Sequence, residues 1–197
     1  SPICFHLIFK CKSLCYLYLY SGFSVFTGIA VIFWMIPYYQ RYHGIDAAEV
    51  GSMIGLLMAV CGLLGVMSGG LLSDWLRQYT RRAKLYISLG AWVLSLLTTI
   101  TMLSVDHVSI AYLCSGFLFL VSPMGNAPIL ATINDLAIPR TRAVVTAILI
   151  TSTTFMGLAL GPYAVGLLSD AFVTSGVEGG EALRQGLLVG LIPQVIG

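Results

Sequence analysis

The chain has 197 residues, of which 58% are hydrophobic and only 9% are charged. Soluble domains carry about 25% charged residues, so most of the surface of this chain cannot face water and is expected to face a lipid bilayer. The formal net charge of +2 is too small to indicate a nucleic-acid partner, and the length is that of about six membrane helices of ~20 residues each, with short loops.

We interpret residues 1–13 as a linker or an atypical start, because Lys10 and Lys12 stand where a signal peptide would have its cleavage site. Residues 14–197 are predicted to form one transmembrane six-helix bundle with a truncated sixth helix. No Asp, Glu, Lys or Arg interrupts the apolar spans before Arg184, as expected where an unpaired charge in hydrocarbon is costly. The predicted spans are residues 14–39, 50–72, 85–104, 108–133, 143–169 and 183 onward.

The cysteines and histidines do not suggest a metal site. None of the five cysteines forms a Cys-x-x-Cys pair, and the three histidines are scattered, whereas a zinc site needs clustered ligands. The cysteines are therefore interpreted as small buried hydrophobic residues. We expect no metal and no cofactor.

Basic residues are concentrated in alternate loops. If the N-terminus of this segment is cytoplasmic, eight of the ten basic residues lie inside, and only Arg41 and Arg184 lie outside. The outer loops then hold six of the eight acidic residues. The positive-inside rule thus predicts a multi-pass protein, of a plasma or inner membrane, with this N-terminus in the cytoplasm.

A five-residue sequence occurs twice. Gly70-Leu71-Leu72-Ser73-Asp74 ends the second span and Gly166-Leu167-Leu168-Ser169-Asp170 ends the fifth, and these two spans run in opposite directions in the predicted topology. Spans one to three and four to six therefore form an inverted three-plus-three repeat, the architecture of one half of a major facilitator transporter. A coincidence between common residues is the alternative.

The segment after the second span resembles the signature loop of the major facilitator superfamily, in which a Gly is followed four residues later by an Asp and then by a basic cluster. The resemblance implies a cytoplasmic gating loop in which Asp74 pairs with a basic residue or with the N-terminus of a neighbouring helix. Trp75 stands where the family commonly has a basic residue, and an ordinary positive-inside anchor is the alternative. The predicted gating residues are Gly70, Asp74, Arg77, Arg81 and Arg82.

Three further stretches resemble Spinster-like members of the superfamily. They are Trp34-Met35-Ile36-Pro37-Tyr38-Tyr39-Gln40-Arg41, the segment from Ile133 to Ala143, and Gly157-Leu158-Ala159-Leu160-Gly161-Pro162 with the second pentapeptide. The resemblance implies that the chain is the C-terminal half of a secondary transporter that works by alternating access with an N-terminal half. The implied substrate is a small organic or amphiphilic solute, and this chain alone is expected to be inactive.

Six residues are candidates for the substrate cavity. Asn126 lies between Pro123 and Pro128, which are expected to break the fourth helix and expose carbonyl groups; bonding of Asn126 to a neighbouring helix is an equal alternative. Hydroxyls at 151–154 lie near mid-membrane, although at least two of the four are expected to bond to their own helix. The candidates are Trp34, Tyr38, Asn126, Thr151, Thr154 and Tyr163.

Two other functions compete with transport. A membrane-embedded enzyme would need converging acid, base and nucleophile groups, for which Asp135, Arg140 and Arg142 are the best candidates, and an interhelical linker explains them more simply. A non-transporting membrane subunit would not need the proline and glycine breaks. Spans one to five contain no carboxylate or histidine, so the titrating group of any proton-driven parent protein is predicted to lie in the missing half.

Overall fold

A computed structural model describes residues 12–80, 82–136 and 141–196. Most of the predicted linker and two predicted loop residues, Arg81 and Arg140, lie outside these ranges. The described residues contain helices and loops but no strand. The elements are α1 (Lys12–His43), α2 (Ala47–Arg77), α3 (Ala83–Ser104), α4 (Val108–Met124), α5 (Asn126–Leu136), α6 (Arg142–Thr154), a π-helical segment (Phe155–Leu160), α7 (Gly161–Thr174), α8 (Gly179–Val189) and α9 (Ile192–Ile196).

Five helical stretches are long and apolar enough to cross a membrane. They are α1, α2, α3, the pair α4–α5, and the continuous stretch of α6, the π segment and α7. They correspond to the first five predicted spans, and the predicted all-α fold is confirmed. The helices run past the predicted ends because a helix stops at a backbone terminator rather than at the first charge. α2 therefore continues to Arg77, and the sixth helical stretch begins at Gly179 rather than near Leu183.

The loop between α1 and α2 is formed by standard helix-ending chemistry. Gly44 follows α1 with φ of +70°, and the next backbone amide, of Ile45, donates to the Tyr39 carbonyl at 3.4 Å. Only glycine adopts this left-handed conformation without a steric penalty, so it ends the helix and reverses the chain. Asp46 then caps α2, since its carboxylate accepts from the Ala48 amide at 3.0 Å.

The packing of the helices follows the predicted inverted repeat. Gly65 and Gly161 each lie five residues before the first glycine of the repeated pentapeptide. A Cβ on Gly65 would collide with the Leu120 backbone of α4, and a Cβ on Gly161 would lie 2.6 Å from the Phe26 carbonyl oxygen of α1. The second span thus packs on the fourth as the fifth packs on the first, and small residues allow both close approaches.

The repeated pentapeptides also match in burial. Ser73 and Ser169 are both buried, and Asp74 and Asp170 are both exposed. The equivalent positions therefore have equivalent environments in helices of opposite direction, which confirms the inverted repeat within the described part of the chain.

The two halves of the repeat differ in continuity. The first three spans are single helices, whereas the fourth, fifth and sixth stretches are interrupted at Gly125, at Phe155–Leu160 and at Gly190–Leu191. Pro162 has no amide hydrogen for the preceding turn, and the widened π segment directly before it accommodates that loss. The irregular part of the fifth stretch is thus a π-helical segment followed by a proline in the first turn of α7.

Two separate clusters of buried side chains hold the bundle together. The larger one includes Met35, Tyr38 and Leu183 and joins α1 to each of the other five helical stretches. The smaller cluster consists of Ile129, Ile133, Val145 and Leu149, from α5 and α6. The neighbouring helices α5 and α6 therefore have their own apolar contacts.

Candidate functional site

A cavity of about 330 Å³ lies between α1, α2, α3 and α4. Its volume is at the lower end of the ~300–1,000 Å³ typical of small-molecule sites. Helices from both halves of the repeat form its walls, because α1 to α3 belong to the first half and α4 and α5 to the second. This is the position expected for a substrate site in a transporter built from such repeats.

One wall of the cavity carries hydroxyl groups of α1. Ser24 and Thr27 face it from adjacent turns of that helix. Thr27 is buried, with a relative exposure of 3%, and its hydroxyl has no hydrogen-bond partner among the described residues. A buried hydroxyl without a partner costs free energy. Thr27 is therefore an unsatisfied polar group within this wall, and its oxygen is covered by neighbouring atoms.

The interruption in the fourth span gives the cavity its amide group. α4 ends at Met124 and α5 begins at Asn126, and the Ser88 hydroxyl donates to the Gly125 carbonyl at 3.0 Å. Asn126 and Ser24 line both this cavity and a smaller one of about 120 Å³ beside it. Asn126 is exposed and makes no hydrogen bond to any described residue, so its amide is available at the junction of the two cavities.

A second amide reaches the cavity from the sixth helical stretch. Gln194 lies on α9, after the interruption at Gly190–Leu191, and is buried. Its Nε2 donates to the Ser95 hydroxyl at 3.0 Å and to the Trp92 carbonyl at 3.2 Å. These bonds fix the side chain against α3, and its Oε1 accepts no hydrogen bond from a described residue.

The cavity has a polar interior and an apolar edge. Ile32, Met58 and Val66 line it and are 38%, 50% and 50% exposed. None of its lining residues is Asp, Glu, Lys, Arg or His. The site offers neutral hydrogen-bonding groups inside and apolar contact at its edge, with no charge to compensate an ion.

The three aromatic candidates lie outside this cavity. The Trp34 indole donates to the Pro162 carbonyl at 2.9 Å, so it joins α1 to α7. Tyr38 is fully buried and its ring stacks on Tyr42 at a centroid distance of 5.3 Å. Tyr163 is 65% exposed. Trp34 and Tyr38 thus contribute contacts within the bundle, and Tyr163 presents an open aromatic surface.

The four hydroxyls at 151–154 divide into two pairs. Ser152 and Thr153 donate to carbonyls of their own helix, to Leu149 at 3.0 and 2.8 Å. Thr151 and Thr154 are exposed and have no hydrogen bond to a described residue. The two residues predicted as cavity candidates are therefore the two with free hydroxyls, but they lie on an outer face of the fifth stretch, away from the 330 Å³ cavity.

The predicted gating residues lie at the C-terminal end of α2 and just before the start of α3. Gly70 is half-buried, while Asp74, Arg77 and Arg82 are exposed; Arg81 lies outside the described ranges. Among the described residues Asp74 has no ion-pair partner, and the ion pair at this end joins Lys84 to Asp135 at 2.6 Å. The Asp74 carboxylate is thus open to solvent or to another protein surface.

A guanidinium group connects three helices at the end of the bundle opposite the predicted gating residues. Arg184 donates to the Leu103 carbonyl and to both carboxylate oxygens of Glu181, the nearer at 3.0 Å. The Tyr42 ring lies 5.5 Å from the guanidinium carbon, and its hydroxyl donates to Asp106 at 2.9 Å. These contacts connect the C-terminal ends of α1 and α3 to α8.

Sequence reasoning identified Asn126 but missed the other polar residues that line the cavity, which are Ser24, Thr27, Ser95, Thr99, Ser122 and Gln194. One usable signal was present for two of them. Ser21, Ser24 and Thr27 recur every three residues, a spacing that places hydroxyls along one helix face. No local sequence pattern indicated that Gln194 lines the cavity, because its position depends on the interruption of the helix before α9.

The fold and its repeat define a class of protein. The described residues form helices, five stretches of which are long and apolar enough to cross a membrane, and with their inverted repeat they have the fold of half of a major facilitator transporter. It is an integral, multi-pass membrane protein.

The solved structures that resemble it are of a bacterial homologue of the human lysosomal transporter Spinster. Its inward-facing, unoccupied form matches 100% of this chain with a TM-score of 0.84 and 18% sequence identity. Its inward-facing, occupied form matches 91% of the chain with a TM-score of 0.76 and 19% identity. The chain spans about half the length of these proteins, 48% and 46% respectively. No family model and no curated protein matches the sequence.

Proposed function

We propose that this chain is the C-terminal half of a Spinster-like major facilitator transporter and moves a small organic or amphiphilic solute by alternating access together with an N-terminal half. The observation that carries the proposal is the 330 Å³ cavity between the two halves of an inverted repeat. Its free hydrogen-bonding groups surround an interrupted helix, as expected of a substrate site.

The match to half of each solved transporter supports a second half as the partner. Alternating access needs two bundles that move around one site, and one six-helix bundle cannot close the cavity on either side by itself. The proposal therefore requires that the chain alone does not transport.

The gating loop has the form that such a movement needs. Asp74 is exposed at the inner end of α2 and has no ion-pair partner among the described residues. In the assembled transporter its carboxylate pairs with the N-terminal half when the cytoplasmic side is closed. Replacing Asp74 by Asn is expected to lower the rate of transport. Asp170 lies at the other side of the membrane in the proposed orientation, so replacing it by Asn is expected to leave the closed state of the cytoplasmic side unaffected.

The orientation and the membrane follow from the charges. With the basic clusters inside, the N-terminus of this segment is cytoplasmic, in a plasma or inner membrane. A single cysteine in place of Arg82 is then labelled by an impermeant thiol reagent only after the inner face of the membrane is exposed.

Solute flux tests the proposal. Proteoliposomes are prepared with the longer protein that contains these residues, with this chain alone, and without protein. Uptake of organic anions, lysolipids and cationic drugs is measured with and without an imposed pH gradient. Saturable uptake by the longer protein and none by the chain alone supports the proposal. Uptake by the chain alone contradicts the half-transporter role, and a lack of uptake in every case favours a non-transporting subunit or a membrane enzyme.

Comparing solute uptake with and without the pH gradient shows whether transport is coupled to protons. Gradient-dependent accumulation identifies a proton-coupled transporter, and its titrating group is then expected in the N-terminal half. Equal uptake with and without the gradient identifies facilitated diffusion.

A further inference from the structure

We infer that a cluster of cations, at the end of the bundle that carries the predicted gating residues, binds the phosphate headgroup of an anionic membrane lipid. The cluster consists of Arg77, Lys84 and Arg142, which belong to α2, α3 and α6. The inference goes beyond the proposed transport function and does not depend on it, because lipid binding needs only the cluster and a bilayer.

The three cations of the cluster share one carboxylate. The Lys84 ammonium group lies 2.6 Å from the Asp135 carboxylate. The guanidinium groups of Arg142 and Arg77 act electrostatically on the same carboxylate, and neither forms an ion pair with a described residue. Asp74 is exposed at this end but pairs with none of the three among the described residues. Three positive charges and one negative charge leave the cluster with a net charge of +2.

The cluster lies at the depth where α2 leaves the hydrocarbon. Leu71 is 70% exposed near the end of this apolar helix, and Trp75 and Tyr79 follow at intervals of four residues with exposures of 54% and 72%. The rings of Trp75 and Tyr79 lie 5.3 Å apart. Exposed tryptophan and tyrosine side chains at the end of a membrane helix are typical of the headgroup layer. Arg77 lies only about 3 Å further along the helix axis than Trp75 and is therefore at the same depth.

The anion available at this depth is the lipid phosphate. Arginine and lysine bind phosphate through charge-assisted hydrogen bonds, and basic pockets between membrane helices bind anionic headgroups in this way. A zwitterionic headgroup carries its own cation, which the unpaired guanidinium groups repel, so a lipid with a net negative charge is preferred. The acyl chains hold such a lipid beside the cluster and so raise its local concentration above that of a soluble phosphate.

The opposite end of the bundle has the reverse charge and would repel the same headgroup. The acidic residues there are Asp46, Glu49, Asp106, Asp170, Glu178 and Glu181. Arg41 is exposed at that end and forms no ion pair with a described residue. Anionic lipid is therefore bound from one leaflet only, and Arg41 provides a control cation of the same chemistry at the other leaflet.

Two lipids with the same acyl chains test the inference. The longer protein that contains these residues is kept in detergent and titrated with dioleoylphosphatidylglycerol or dioleoylphosphatidylcholine, and native mass spectrometry gives the affinity of each lipid. Both contain a phosphate, but only phosphatidylglycerol has a net negative charge. We expect phosphatidylglycerol to bind at least about fivefold more tightly, since each cation near an anionic headgroup contributes about that factor. The preference should fall as the ionic strength rises, and equal affinities for the two lipids would overturn the inference.

Charge variants locate the site. Arg77→Gln and Arg142→Gln should each weaken phosphatidylglycerol binding about fivefold, and Arg77→Lys, which keeps the charge, should retain most of the affinity. Asp135→Asn should have the opposite effect and strengthen binding, because it removes the carboxylate of the cluster. The matched control Arg41→Gln removes the same charge from the opposite end and should change the affinity less than about twofold. The inference is wrong if Arg77→Gln has no effect, if Arg41→Gln has an equal effect, or if Asp135→Asn weakens binding.

A soluble competitor distinguishes a lipid site from a site for any phosphate. Glycerol 3-phosphate has the phosphate group without acyl chains, and at a concentration equal to that of the lipid it should displace little phosphatidylglycerol. Displacement as effective as that by unlabelled phosphatidylglycerol would identify a soluble-anion site and overturn the assignment to lipid. None of these measurements involves solute uptake, so a failure here leaves the proposed transport function standing, and a failure of transport leaves the lipid site standing.

Discussion

The close contact between α2 and α4 makes a quantitative prediction about Gly65. A Cβ at this position would lie within 3.2 Å of three backbone atoms of Leu120, and backbone atoms cannot rotate away as a flexible side chain can. Gly65→Ala must therefore push the helices apart, and overpacking of this kind costs about 1–3 kcal/mol. The same substitution gains about 1 kcal/mol of helix propensity, so the net destabilisation ranges from about zero to 2 kcal/mol.

A matched variant removes the propensity contribution. Gly90 lies inside α3, is exposed, and has no heavy atom within 4 Å of a built Cβ. Gly90→Ala gains the same propensity without a collision, so the two variants differ by the cost of the collision alone, about 1–3 kcal/mol. Unfolding by SDS in mixed micelles, followed by tryptophan fluorescence, gives both values. Equal midpoints for Gly65→Ala and Gly90→Ala would refute the packing described for the repeat.

Two ion pairs are predicted to contribute different amounts to the free energy of unfolding. Arg184→Met removes the donors to the Leu103 carbonyl and to Glu181, so the free energy of unfolding in SDS should fall by about 1–2 kcal/mol. An unchanged unfolding midpoint would contradict this prediction. Asp135→Asn breaks the ion pair with Lys84. Because Asp135 is 65% exposed, the free energy of unfolding should fall by less than about 1 kcal/mol, and the difference should disappear near 1 M salt. Any proton-driven uptake should persist in Asp135→Asn, and its loss would place the proton site in this half.

The fold was largely predictable because its signals are local in the sequence. Charges between apolar runs indicated the number of spans. The repeated pentapeptide identified the second and fifth spans as equivalent, and the close contacts at Gly65 and Gly161 show the same equivalence in the packing. The ends of the helices were predicted less accurately. α2 continues to Arg77, because its backbone hydrogen bonds continue past the first charged residue.

The candidate site was predictable only in part, because a cavity is a property of packing. Asn126 was found because prolines and a glycine flank it, and these mark an interrupted helix. Thr27 resembles many small polar residues in membrane helices, and only its missing partner in the packed bundle sets it apart. Gln194 reaches the cavity through an interruption near Gly190 that sequence periodicity does not reveal.

Access to Asn126 from both membrane faces is the most direct test of the alternating-access role. A single cysteine in place of Asn126 is introduced into the longer protein after its native cysteines are replaced by alanine, and impermeant thiol reagent is applied to either face of oriented vesicles. The account predicts labelling from both faces, with the ratio shifted by transported solute. Labelling from one face only, unaffected by solute, would contradict it.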